Sequence, residues 1–128
     1  MAEKDVIHTD RAPGPFQGAP YNQAIRVGDL VFVAGQIGLR PGETAVDGDV
    51  AQQTEQALRN LAAILEAAGS SLDNLVKTSV FLMDMADFAA MNEVYAGHVG
   101  DRPPARSTFQ VAGLPAGARV EIEAVAHV

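Results

Sequence analysis

The chain has 128 residues, no cysteine and a formal charge of -7 at neutral pH. One domain is the expected content (1–128), long enough to bury roughly two-thirds of its unfolded surface around a core that needs no staples. Missing cysteine removes disulfides, thiolate nucleophiles and cysteine metal sites, and the acidic balance without any Lys/Arg run argues against a nucleic-acid partner.

No apolar run reaches the roughly 20 residues of a membrane span, and the start Met1-Ala2-Glu3-Lys4-Asp5 lacks the pattern of a signal peptide. The expectation is a soluble, cytoplasmic protein. In chain order, Val6 and Ile7 mark a short strand over 5–9, followed by a Pro/Gly-rich loop over 11–20 that Tyr21 closes. Two β-branched runs, 22–27 and 30–37, flank Gly28-Asp29, a connection that predicts an antiparallel hairpin. The second arm, Leu30-Val31-Phe32-Val33-Ala34-Gly35-Gln36-Ile37, is apolar on both faces and calls for cover on both.

Val50, Ala57, Leu58, Leu61, Ala62, Leu65 and Ala68 then fall on one face at helical spacing, with Asp49 as N-cap and Gly69 just past the end. A strand over 76–83 follows as a βαβ unit requires. The next helix, about 87–99, carries Phe88, Met91, Asn92, Tyr95 and Val99 on its stripe and is stopped by Gly100 and Pro103-Pro104. Strands over 107–111 and 119–126 flank the turn at 113–117 and read as a closing hairpin, with Val120, Ile122, Ala124 and Ala126 turned to the helices.

This order describes an α+β domain: a mixed sheet with two helices on one face. The uncovered face predicts contact with another copy of the chain, with pockets between subunits.

Few residues carry reactive chemistry. Arg106, at the entry to a strand, has a planar fork suited to a carboxylate, although a structural ion pair is the commoner use of such an arginine. Glu121 and Glu123 lie about 7 Å apart on one strand face, a spacing shared by acid/base pairs and by ordinary solvated strands. Asn92 either has a satisfied amide or aims into a pocket. Gly35 suits a bulge, close packing or a ligand against the backbone. Tyr21 reads as a loop anchor, and Ser107 and Thr108 as strand hydroxyls unless a water needs them. His8, His98 and His127 show no metal-ligand spacing, and no phosphate loop or dinucleotide fingerprint is present.

Several segments together resemble one family: Ala19-Pro20-Tyr21-Asn22-Gln23-Ala24, Val31-Phe32-Val33-Ala34-Gly35-Gln36-Ile37, 53–69, Val76-Lys77-Thr78-Ser79-Val80-Phe81-Leu82, Asn92-Glu93-Val94-Tyr95, Pro104-Ala105-Arg106-Ser107-Thr108 and Val120-Glu121-Ile122-Glu123-Ala124. In this order they span almost the whole chain and closely resemble the Rid family, the reactive intermediate deaminases also called YjgF-like proteins. Where that family has Gly-Pro-Tyr, this chain has Ala19-Pro20-Tyr21, with Gly14-Pro15-Phe16 upstream.

The resemblance implies a chorismate-mutase-like fold in a homotrimer, with the sheets as an inner barrel and sites in the clefts between subunits. It implies hydrolysis of 2-aminoacrylate or 2-imino acids to 2-keto acids and ammonia, with no cofactor, no metal, no nucleic acid and no membrane. Carried over by position, Arg106 would hold the substrate carboxylate. Glu121 with Thr108 would position water, Tyr21, Gly35 and Asn92 would line the cleft, and Glu123 would be a structural neighbour. The competing readings are a non-catalytic small-molecule-binding or chaperone-like trimer and, third, an endoribonuclease.

Overall fold

The fold is built from a hairpin, two helices and a strand that returns to the middle of the sheet. It is described for residues 3–128 in a computed structural model; the first two residues of the charged start lie outside the described residues. Gly28, at φ 57°, lets the chain turn between β2 (Ala24–Val27) and β3 (Leu30–Ile37), which pair antiparallel as predicted. β1 (Lys4–Ile7) adds antiparallel to the outer edge of β2.

α1 (Val50–Ala67) begins with a reciprocal cap: Gln52 N–H donates to Asp49 Oδ1 at 2.8 Å, and Asp49 N–H donates to Gln52 Oε1 at 2.9 Å. Gly69, at φ 86°, ends the helix in the left-handed conformation that lacks a Cβ penalty. α2 (Phe88–Val99) packs against α1, and the His98 ring meets Glu55 Oε1 at 2.9 Å between the two helices.

The end of the chain departs from the expected hairpin. β5 (Ala105–Gln110) runs parallel to β4 (Leu75–Leu82), and β6 (Val120–His127) lies between β3 and β4, antiparallel to both. The sheet order is therefore β1-β2-β3-β6-β4-β5. The turn at 113–117 is composed as a local reversal, but the strands it joins do not pair. β4, α2 and β5 form an adjacent βαβ unit, whereas β3 and β4 are parallel with β6 inserted between them.

Along β6, Val120, Ile122, Ala124 and Ala126 are buried against the helices together with Leu58, Leu61, Ile64, Leu65 and Met91. β3 is not covered on both sides: Val31 and Val33 are buried, while Phe32 is 45% exposed on the other face. That open face also carries Val6 at 58% and Phe109 at 54% exposure. Large apolar groups on one contiguous sheet face are the usual mark of a surface that meets another protein.

Three buried amides secure the loops around this frame. Gln23 accepts from Thr9 N–H and donates to the carbonyls of Thr9, Ala12 and Pro13. Gln53 donates to the Gly48 carbonyl and accepts from Arg119 N–H at the entry to β6. Asn60 donates to the Ile37 and Leu39 carbonyls at 3.1 and 2.8 Å, holding the segment that leaves β3.

Asn60→Ala strands two buried carbonyls and is expected to lower stability by about 2 kcal/mol. Asp49→Ala removes an exposed cap and is expected to cost about 1 kcal/mol. Urea unfolding of the two variants checks the order: a smaller midpoint shift for Asn60→Ala would mean that this amide is not an anchor.

Candidate active site

β6 sends Val120 and Ile122 into the core, so Glu121 between them faces the open side of the sheet. Its neighbours across the ladders are Ile37 on β3 and Phe81 on β4. The β3 to β6 register shifts between Val33 and Gln36, and Gly35 lies within this bulge. A Cβ on residue 35 would stand 2.7 Å from Glu121 Cδ and 3.0 Å from Glu121 Oε1. The space above the glycine therefore belongs to the Glu121 side chain, a closer demand than the ligand approach or packing considered from sequence. Burial, and then the charge of Glu123, push the Glu121 carboxyl above its usual range.

Glu121 and Gly35 line a cavity of about 390 Å³ together with Tyr21, Phe16, Ile37, Leu39 and Pro115. The Tyr21 hydroxyl accepts from Phe16 N–H at 2.6 Å, joining the Ala19-Pro20-Tyr21 segment to Gly14-Pro15-Phe16 upstream. Both segments contribute to the same cavity. Gln17 in its lining holds a positive φ of 54°, and Ala116, the residue after the lining Pro115, holds one of 58°.

Arg106 belongs to a different surface. Its register partner on β4 is Thr78, whose hydroxyl lies 2.6 Å from Tyr95 Oη on α2. The Arg106 guanidinium carbon sits 4.8 Å from the centre of the Tyr95 ring and 5.6 Å from that of Phe88. The cation is thus supported by two aromatic faces, an interaction of about 0.5–1 kcal/mol at partly exposed sites.

Among the described residues no carboxylate pairs with Arg106, whereas Arg11, Arg40, Arg59 and Arg119 all have acidic partners. The ion pair expected of an ordinary strand arginine is absent. Asn92 lies between Phe88 and Tyr95 on the same helix stripe, and its Oδ1 is buried without a hydrogen-bond partner. Thr108 stands beside Val80, two residues along β5 and on the helix side. Ser107 faces the opposite way, where it accepts from Lys77 Nζ at 3.2 Å.

One chain therefore groups the candidate residues into two sets. Tyr21, Gly35 and Glu121 share the cavity; Arg106 and Asn92 share the Phe88–Tyr95 surface, with Thr108 on the same side of β5. The sets lie on opposite faces of the sheet, so a single chain does not bring Thr108 to Glu121. Sequence reasoning missed Phe88 and Tyr95 as the platform for Arg106 and missed the Phe16, Ile37 and Leu39 wall. The spacing of Phe88, Asn92 and Tyr95 was the available signal for the platform, but it reads equally well as core. Among the described residues no cluster of three or more His, Cys, Asp or Glu is placed to hold a metal ion, and no helix is long and apolar enough to cross a membrane.

An unpaired guanidinium fork can hold a carboxylate through two parallel hydrogen bonds. A partly desolvated carboxylate in a cavity can take a proton from water near neutral pH. One chain thus carries a candidate anion anchor and a candidate proton acceptor on opposite faces of its sheet.

Comparison with known proteins places the chain among close relatives. A family model described as Endoribonuclease L-PSP matches residues 11–128. A RutC family protein of Pyrococcus horikoshii is 51% identical over 97% of this chain and 98% of its own length. A mouse protein named 2-iminobutanoate/2-iminopropanoate deaminase is 46% identical over 96% of this chain and 90% of its own. The crystal structure of RidA from an Antarctic Psychrobacter superposes with a TM-score of 0.91 at 41% identity, covering 97% of this chain and 99% of that one. With the fold, the motifs and these likenesses in agreement, the chain belongs to the YjgF-like, or Rid, family of reactive intermediate deaminases.

Proposed function

We propose that the protein hydrolyses 2-imino acids, and enamines such as 2-aminoacrylate after tautomerisation, to 2-keto acids and ammonia. The observation that carries this reading is Arg106: half-buried, backed by Tyr95 and Phe88, and free of any acidic partner among the described residues. The deaminase names of relatives at 46% and 47% identity supply the reaction class. The family model's description names an endoribonuclease, but a charge of -7 offers RNA no general attraction.

In this mechanism the Arg106 fork holds the substrate carboxylate and fixes the C=N carbon for attack. As water adds to the protonated imine carbon, Glu121 takes one of its protons and a neutral carbinolamine forms. Glu121 returns that proton to nitrogen, and as the hydroxyl proton passes back to Glu121 the C=O bond forms, the C–N bond breaks and ammonia leaves. Thr108 orients the water, Asn92 offers its unpartnered Oδ1 to an N–H of substrate, and Tyr21 with Gly35 bounds the cleft. No cofactor or metal enters the sequence of steps.

Arg106 and Glu121 face opposite ways on one chain, so the mechanism draws them from two copies. A homotrimer closed through the open sheet faces supplies that arrangement, each cleft taking Glu121, Gly35 and Tyr21 from one subunit and Arg106, Asn92 and Thr108 from the next.

The direct test supplies imines from an amino-acid oxidase and follows keto-acid release. Arg106→Ala is expected to lower kcat/KM about 100-fold, the scale of losing a charged two-hydrogen-bond anchor. An unchanged rate in that variant would sink the mechanism. Mixing inactive Arg106→Ala and Glu121→Gln chains after reversible dissociation should restore about a quarter of the sites, because half of the Arg-side and half of the Glu-side contributions are intact. Persistent inactivity of the refolded mixture would refute the two-subunit site.

The pH dependence has a definite sign. The folded Glu121 pKa lies above its unfolded value, so ionisation opposes folding, and stability falls as pH rises from about 4.5 through the folded value. Glu121→Gln should therefore be less active yet more stable than the parent at neutral pH, with the stability gain vanishing below the unfolded value. Wild-type activity should fall as pH drops through the folded value, and Glu123→Gln should move that acid limb lower. Melting curves and pH–rate profiles read both effects.

A further inference from the structure

The cavity beside Glu121 is larger than the reacting group requires. At about 390 Å³ it falls within the range of sites that bury drug-sized ligands. A three-carbon imino acid has only roughly six non-hydrogen atoms with which to gain binding energy. The excess room is walled mainly by Phe16, Ile37, Leu39 and Pro115, with Gln17, Gln36 and Thr44 as neutral polar groups among them.

This wall is fixed by packing behind it. Ile37 and Leu39 are buried with Ala118, and Val46, Leu114 and Ala116 pack against that cluster. Val46 N–H donates to the Ala116 carbonyl at 3.0 Å, tying the two loops behind the wall together. The charged groups lining the cavity are Glu43 and Glu121, both acidic; Glu43 is exposed and meets Arg40 Nη1 at 3.2 Å.

The imine carbon is planar and has three substituents. Arg106 holds the carboxylate, and the nitrogen departs as ammonia. The third substituent is the amino-acid side chain, and the apolar recess is the space left to receive it.

We propose that this recess is a side-chain subsite selecting 2-imino acids with a sizeable uncharged apolar substituent, aliphatic or aromatic, over 2-iminopropanoate and over those with acidic side chains. The inference rests on the deaminase reading for its reaction and on the cavity wall for its selectivity. Each methylene that fills an apolar recess raises kcat/KM by about tenfold or more, while a carboxylate side chain meets the like charges of Glu43 and Glu121.

The experiment compares imines made in situ by an amino-acid oxidase from leucine, phenylalanine, alanine and glutamate, with binding of 4-methyl-2-oxopentanoate and pyruvate measured by calorimetry. The leucine-derived imine is expected to exceed the alanine-derived one at least tenfold in kcat/KM, with the glutamate-derived imine lowest. Phe16→Ala should bring the leucine-to-alanine ratio toward one, and Glu43→Gln, at an exposed position that tolerates change, should raise the glutamate-derived imine relative to the leucine-derived one. A general structural defect would lower all rates together and leave these ratios unchanged.

Equal rates, or a preference for the alanine-derived imine, would overturn the subsite and leave the deaminase standing. Tighter binding of 4-methyl-2-oxopentanoate than of pyruvate, without hydrolysis of any imine, would sink the deaminase and retain the subsite. Equal binding of the two acids without hydrolysis would overturn both.

Discussion

The insertion of β6 between β3 and β4 is the constraint on which the rest of the structure depends. A central strand alternates its side chains between the two faces of the sheet, and on β6 that alternation separates the core from the chemistry. Val120, Ile122, Ala124 and Ala126 close the hydrophobic layer beneath α1 and α2. Glu121 and Glu123 are thereby sent to the other side. A one-residue slip would bury both carboxylates and expose four core residues, so core packing fixes the register of the acidic group more strongly than any interaction it makes itself.

The same alternation divides the candidate residues. Arg106 pairs with Thr78 on the helix side, while Glu121 looks out from the open side. The proposed anion anchor and the proposed proton acceptor therefore do not neutralise one another within the chain. A guanidinium beside a carboxylate would form an ion pair and offer substrate little; here aromatic rings support the guanidinium and leave its donors free. Glu121, in turn, is half-buried near Glu123, and both effects raise its proton affinity above that of a free carboxylate.

Much of this was legible in the sequence because the signals were local. Asp49 and Gly69 bounded α1, Gly28-Asp29 marked the first hairpin, and strict alternation along β6 assigned its faces. The position of β6 was not legible: the turn at 113–117 has the composition of a hairpin, and nothing local reports that β5 prefers a parallel partner. Gln23, Gln53 and Asn60 were also unreadable as anchors, since a polar residue on an apolar helix or strand reveals its partners only when distant backbone carbonyls are in place. Gly35 was legible as a special position but not in its purpose, because the atom that forbids a side chain there belongs to a residue far along the chain.

Gln17, which lines the cavity, and Ala116, next to the lining Pro115, hold left-handed backbone conformations without being glycine. Each costs about 1–2 kcal/mol for an L-residue, and the surrounding hydrogen bonds and packing must outweigh that cost. Loops held in this way resist relaxing, and relaxation would change the aperture. The backbone at these two turns is therefore set when the chain folds, and the wall beside Pro115 is set with it.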